Sequence, residues 1–513
     1  MDTEPIETLP HARHPEPPGR QALAMAPDEF RRVGHDLVDR IADFLASRPD
    51  RPLTPAERPD AVRALIGGDA PLPDRGTDAA DLVRSTAELL FDHSLLNGHP
   101  AFLGYITSSP APIGMLGDLL AAAVNPNVGA WALSPIASEI ESQAIRWISE
   151  LIGYPQDCGG LFVSGGNMAN FVGFLAARAA RTDGAVRAGG VASGRPLRVY
   201  ASAETHTWIQ KAADLFGLGT DSIRWIETDA SMCMDVASLR RAIERDRAAG
   251  DLPMLVAATA GTVSTGAVDP IERIAPVCRE AGVWLHVDGA YGAFAALVSG
   301  APESLRFLQL ADSVAVDPHK WLYAPLEAGC ALVRDRDALR AAFSYHPPYY
   351  HFGTEATNYY DFGPQNSRGF RALKVWLALR QAGREGYLES MSWDIGLSER
   401  LHAAISRHPE LQPLTQSLSI TTFRYVPPEL RASVGEADTE DYLNRLNETL
   451  LERIQGSGKA FVSNAVIRGR FALRACFVNL NTRERDVDTL PGFVAALGRQ
   501  AHSEHAGGSR IGV

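Results

Sequence analysis

Leu161-Phe-Val-Ser-Gly-Gly-Asn-Met-Ala-Asn170 runs from an apolar strand, across two glycines, into a helix. Glycines let a backbone approach a ligand closely. Free amides at a helix start attract an anion such as phosphate. Taken alone, the stretch reads as a plain strand-to-helix turn. Its surroundings repeat the pattern. Helical periodicity covers residues 134–151, 167–181, 208–215 and 236–248. Short apolar runs fall between and after them, at 161–164, 197–201, 254–259, 284–287, 313–316 and 331–333. Strands apolar on both faces belong in a mostly parallel sheet covered by helices. Such sheets bind ligands outside the carboxyl ends of their strands.

Moving outward, residues 1–24 read as a flexible, proline-rich arm and 25–99 as a helical segment. The large α/β domain spans 100–385. Strands at 418–426, 461–467 and 471–478, with helices at 441–454 and 488–498, make 386–500 a smaller α+β domain. Residues 501–513 read as a tail.

The chain has 513 residues, 45% hydrophobic and 21% charged, which excludes a disordered chain or a disulfide miniprotein. A net charge of −12 argues against a nucleic-acid partner. The five cysteines are scattered, without metal-ligand or disulfide spacing, and suggest a reducing cytoplasm. No run is long enough to span a membrane. There is no GxxxxGK[ST], HExxH or GxSxG, and His11 and His14 lie without partners in the arm.

Three further segments end apolar strands with chemistry. Asp288, in Trp284-Leu-His-Val-Asp-Gly-Ala-Tyr291, is a carboxylate among apolar neighbours, which needs a positive partner unless it caps the next helix. Lys320, in Ala311-Asp-Ser-Val-Ala-Val-Asp-Pro-His-Lys-Trp321, is poorly placed for a solvated charge, and a desolvated amine is a nucleophile. A lysine that snorkels to solvent is the alternative. His206, in Ala203-Glu-Thr-His-Thr-Trp208, sits at another strand-to-helix junction, where a cap or core histidine is the plainer choice. Together the four are complementary. A phosphate cradle, a carboxylate for a pyridine nitrogen, an imine-forming lysine and a flat imidazole match pyridoxal 5'-phosphate.

These residues sit in wider motifs. Gly98-His-Pro-Ala-Phe102, Asn125-Pro-Asn-Val-Gly129, Ser134-Pro with Glu139 and Glu141, and Ser164-Gly-Gly-Asn come first. Thr259-Ala-Gly-Thr-Val-Ser-Thr-Gly266, His286-Val-Asp-Gly-Ala290, Asp317-Pro-His-Lys-Trp321 and Arg371-Ala-Leu-Lys-Val-Trp376 follow. In these the chain resembles the group II pyridoxal phosphate-dependent decarboxylases, the family of aromatic-L-amino-acid decarboxylase. The resemblance implies an aspartate aminotransferase-like, fold type I architecture and a homodimer with active sites at the interface. It implies that Lys320 forms the Schiff base, Asp288 pairs with the ring nitrogen and His206 stacks on the ring. Gly165, Gly166, Asn167 and Asp317 would lie on the phosphate side, Thr259 and Ala290 would line the cofactor, and His319 would relay protons.

The expected activity is conversion of an L-amino acid, aromatic by family, to its amine and CO₂. Alternatives are an aldehyde synthase, which couples decarboxylation to oxidation, and a decarboxylase of non-aromatic amino acids. Residues 344–369, rich in Tyr, Gly and Pro, read as a lid. By resemblance Tyr359, or its neighbour Tyr360, would be the lid tyrosine that protonates carbon. Asn97 and Ile106 stand where animal aromatic enzymes tend to have bulky aromatics, while Phe102 and Tyr105 still supply apolar surface. Arg474 reads as a sheet-surface residue or as an anchor for a substrate carboxylate.

Overall fold

The structure, a computed structural model, describes residues 23–345 and 356–508. Almost all of the expected arm and residues 346–355 of the expected lid lie outside them. The chain divides after Leu95 into two units. In the first, helices Pro27–Ser47 and Ala79–Asp92 meet through Phe44 and Phe91, whose rings stack 4.3 Å apart. Pro27 opens one helix, where its missing amide costs nothing. Asp78 caps the other by accepting from the Ala80 and Asp81 amides.

The second unit holds two sheets. Its strands are β1 (Phe102–Leu103), β2 (Gly159–Val163), β3 (Leu197–Ser202), β4 (Ile223–Ile226), β5 (Leu252–Thr259), β6 (Trp284–Asp288), β7 (Ser313–Val316), β8 (Gly329–Val333), β9 (Leu411–Ser417), β10 (Ile420–Tyr425), β11 (Phe461–Ile467) and β12 (Arg470–Cys476). The larger sheet has the order β2-β8-β7-β6-β5-β3-β4. β4, β3, β5, β6 and β7 are parallel. β8 runs against both of its neighbours, so β2 points the same way as β7. β2, β3, β5, β6 and β7 therefore all end on one edge, where β8 begins. Their side chains are buried on both faces, as the continuous apolar runs require.

The smaller sheet has the order β1-β11-β12-β10-β9. It departs from the expected division in two ways. β1 comes from residues 102–103 and pairs parallel with β11. Helix Ala372–Arg407 crosses residue 385, with its break at Gly383, where φ is 64°. The expected tail is also helical as far as Gly508, within helix Glu484–Gly508. His502 holds it down: Nδ1 is 2.6 Å from Tyr442 Oη on helix Ala437–Gly456, and Nε2 is 2.6 Å from Glu429. No helix among the described residues is long and apolar enough to cross a membrane.

Candidate active site

A cavity of about 650 Å³ opens at the shared strand edge. Topology delivers its residues. The turn after β2 brings Gly165, Gly166 and Asn167, the turn after β3 brings His206, and β5 ends in Thr259. β6 ends in Asp288, followed by Ala290, and β7 is followed by Asp317, His319 and Lys320. Because β8 starts at this edge, Leu326 and Glu327 reach the same cavity.

Lys320 is aimed by its neighbours. Pro318 opens a single helical turn, and the Lys320 amide donates to Asp317 O at 2.9 Å. Trp321, fully buried, stacks on Tyr291 at 4.9 Å and donates through Nε1 to Asp394 at 2.9 Å. With Trp321 pinned inward, Lys320 faces the cavity, its Nζ 3.2 Å from Asp317 Oδ2. Asp288 accepts from the Ala290 amide at 3.2 Å, so it closes a local turn and does not cap a helix. His319 Nδ1 lies 2.8 Å from Ala328 O, while Nε2 faces Asp317 at 3.7 Å.

Burial sets the charge of the two histidines. His206 is held below the usual histidine range, chiefly by desolvation; the positive charge of Lys320 adds to this, and Asp288 opposes it. His319 is lowered for the same main reason, with Asp317 pulling the other way. Both rings are therefore neutral at pH 7.

The residues fit a phosphorylated aldehyde cofactor. Asp317 Oδ1 and Thr259 Oγ1 are buried without a partner among the described residues. A buried polar atom left unpaired is costly, which points to a missing ligand. Gly165, at φ 118°, has no side chain to cap helix Gly166–Arg181, so its first amides stay free. A Cβ on Gly166 would lie 2.6 Å from Asp317 Oδ2, and the cradle exists only because that position is bare.

Gly165, Gly166, Asn167, His206, Thr259, Asp288, Ala290, Asp317, His319 and Lys320 thus meet in one cavity. Tyr359 does not join them. It is 1% exposed, lies beneath the Arg368 guanidinium at 4.8 Å and does not line the cavity of this chain. The Tyr360 amide donates to Gly129 O, and Tyr360 does not line the cavity either. Asn97, Phe102, Tyr105 and Ile106 are likewise absent from the wall; Phe102 instead stacks on Phe461 at 5.4 Å. Arg474 is buried, not on the sheet surface. It donates to Val263 O, and Val263 lines the cavity. Leu326, Glu327 and Asn170 also belong to the wall. The two former follow from β8 running backwards, which its sequence does not reveal. Asn170 stands in the glycine-turn motif, one helical turn on, and that spacing was a usable signal.

Comparison with known proteins agrees. Residues 59–426 match the pyridoxal-dependent decarboxylase conserved domain. An aromatic-L-amino-acid decarboxylase from Bacillus atrophaeus is 31% identical over 93% of this chain and 97% of its own. A phenylacetaldehyde synthase from Arabidopsis thaliana is 29% identical over 91% and 96%. Among solved structures, the Oryza sativa TDC with PLP and tryptamine superimposes with a TM-score of 0.86 at 27% identity, covering 93% of this chain and 99% of that one. The fold is fold type I and the cofactor is pyridoxal 5'-phosphate. With its strand ends built for that cofactor, the chain belongs to the pyridoxal-dependent decarboxylase family and is an amino-acid decarboxylase, a carbon–carbon lyase.

Proposed function

We propose that the protein converts an aromatic L-amino acid to its amine and CO₂, with the cofactor held in the cavity at the strand ends. The carrying observation is the meeting of Lys320, Asp288, His206 and the Gly165–Gly166 turn in that one cavity. Lys320 would hold the aldehyde, Asp288 the ring nitrogen and His206 one ring face. Gly165, Gly166 and Asn167, with Asp317 and Thr259, would hold the phosphate side, and Ala290 would line the ring. When bound, the cofactor supplies the electron sink for the bond to the departing carboxylate.

The chain's own residues supply the rest. Asp288 keeps a proton on the ring nitrogen. His206 covers one face and excludes water from it. The Lys320 amine lies beside Asp317, where, when not bonded to the cofactor, it could hold a proton. His319, neutral and facing Asp317, can move one. Arg474 sets a positive charge behind the Val263 wall, which favours a substrate carboxylate. Val263, Tyr291 and Leu326 give the wall apolar surface for a ring.

The similarity to a phenylacetaldehyde synthase supports a second reading, decarboxylation coupled to oxidation. His206 favours simple decarboxylation; Tyr359, buried away from the cavity, adds nothing to either side. The test is a panel of single L-amino acids given to purified protein and cofactor, with CO₂, amine, aldehyde and peroxide measured. Amine without peroxide from an aromatic substrate is expected. Stoichiometric aldehyde and peroxide would favour the second reading, and turnover of acidic or aliphatic substrates alone would overturn the aromatic preference.

We also infer a homodimer. Helix Pro112–Val124 turns Leu116, Leu119, Leu120 and Val124 outward, each more than half exposed. A contiguous apolar patch of this kind marks an interaction surface. Light scattering that returns the mass of one chain would reject the dimer. The five unpaired thiols favour a reducing, cytoplasmic setting.

A further inference from the structure

β6 carries His286 and Asp288 two residues apart, and so on one face. His286 is fully buried, with Nδ1 2.7 Å from Ser313 Oγ and Nε2 2.7 Å from Asn170 Oδ1. Trp284 Nε1 lies 2.8 Å from the same Ser313 Oγ. A Cβ on Gly173 would lie 2.6 Å from His286 Nδ1, so the helix above leaves just enough room for the ring. Four side chains thus stand in single file, from the start of β6 to Asn170 on the cavity wall.

The Asn170 oxygen facing the ring sets the protons in this file. An amide oxygen only accepts, so His286 Nε2 carries the proton and donates to it. Burial pushes His286 down to about 4, so its ring is neutral at pH 7 and Nδ1 is bare. Ser313 Oγ therefore donates to Nδ1 and accepts from the Trp284 indole N–H. The amide of Asn170 is then fixed with its oxygen towards His286. Its Nδ2 has no partner among the described residues, although Asn170 is 2% exposed. Across the same cavity, Asp288 Oδ2 accepts from no described residue either.

We propose that Asn170 is a positioning residue for the ring end of the cofactor: the Trp284–Ser313–His286 file holds its amide as a donor into the cavity lined by Asp288, the carboxylate that pairs with the ring nitrogen. The inference rests on Asp288 taking that pairing role. The file explains why a polar chain is buried beneath the sheet edge at all. With its oxygen bonded to His286, Asn170 turns its donor and not its acceptor into the cavity.

The test is titration of cofactor-free protein with pyridoxal 5'-phosphate, followed by the visible absorbance of the bound cofactor. Asn170→Asp replaces the donor with a second carboxylate in the cavity, and should weaken binding by about tenfold or more. Asn170→Leu should weaken it less. His286→Leu frees the amide to turn and should also weaken binding, while His286→Gln, which can donate to Asn170 and accept from Ser313, should restore it. Wild-type affinity in Asn170→Asp overturns the proposal, as does loss in His286→Gln equal to that in His286→Leu. If His286→Leu does not fold, the two Asn170 variants decide alone. Failure of the wild type to bind the cofactor through this cavity would instead sink the reading of the site.

Discussion

Two buried ion pairs in this protein are built to opposite ends. Arg368 and Glu141 are both almost wholly buried, and the Nη atoms and both carboxylate oxygens are all engaged, with the Arg368 Nε left without a partner among the described residues. The Arg368 Nη atoms donate to Val128 O at 2.8 Å, Phe162 O at 2.7 Å and both Glu141 oxygens. Glu141 also accepts from the Phe162 amide, and the Tyr359 ring lies under the guanidinium. Lys320 and Asp317 share one contact of 3.2 Å, and Asp317 Oδ1 has no partner. A carboxylate with both oxygens engaged by protein groups ties elements together; one with an oxygen spare at a cavity waits for a ligand. Arg368 joins segments more than two hundred residues apart and serves the fold, whereas Lys320 stands at a strand end with its valences spare.

The division can be broken by substitution, beginning with the open pair. Lys320→Ala should lower turnover by more than about a thousandfold, the upper range for losing a positioned acid–base or electrostatic group. Reduction with borohydride and peptide mapping should then find no pyridoxyl tag at residue 320. Asp288→Ala should cost about a hundredfold to a thousandfold in kcat with little change in unfolding midpoint; activity near wild type would remove its role. Arg368→Ala should act the other way round. It strands a buried carboxylate and should destabilise by about 3–5 kcal/mol, read from denaturant unfolding. Tyr359→Phe should change stability by less than about 1 kcal/mol and leave amine yield intact without peroxide. A fall in kcat with aldehyde released would return Tyr359 to the chemistry.

Much of this was legible because burial and topology write directly into sequence. Residues 313–316 and 461–467 are strands and 208–215 and 236–248 helices in both readings. The site was legible for a related reason: parallel strands end on one edge, so glycine, aspartate and lysine placed just past apolar runs must converge. What stayed hidden depends on long-range pairing. β1 is two residues long, and β4 buries only Ile223 and Ile226, too little for a periodic signal. β9 is mostly half-buried and shows no apolar run. Tyr359 lies in a stretch without a regular period, and long-range packing, including the Arg368 guanidinium paired with residue 141, makes it interior. The Asn170 file needs the register of β6 against β7 before its members can be seen as neighbours.

A third buried carboxylate sharpens the contrast, with the smallest expected effect. Asp394 is 1% exposed and has no cation against it among the described residues. Its Oδ2 accepts from Trp321 Nε1 at 2.9 Å and Tyr323 Oη at 2.5 Å, the residues that flank the cofactor-lysine turn. Burial pushes its carboxyl up to about 8, against 3.8 in the open chain, with hydrogen bonds from Tyr323, Trp321 and the Asn479 backbone opposing. The folded protein therefore holds a proton that the unfolded chain has released between those values. Stability from this group is full below pH 4 and declines as pH rises towards 8, a difference on the order of a few kcal/mol. Asp394→Asn keeps an oxygen for both donors and carries no charge. It should leave the unfolding midpoint nearly unchanged at pH 5 and raise it at pH 9, flattening the alkaline slope. A variant with the wild-type slope would mean that Asp394 is ionised throughout, and that a charge without a cation can be held in this interior by hydrogen bonds alone.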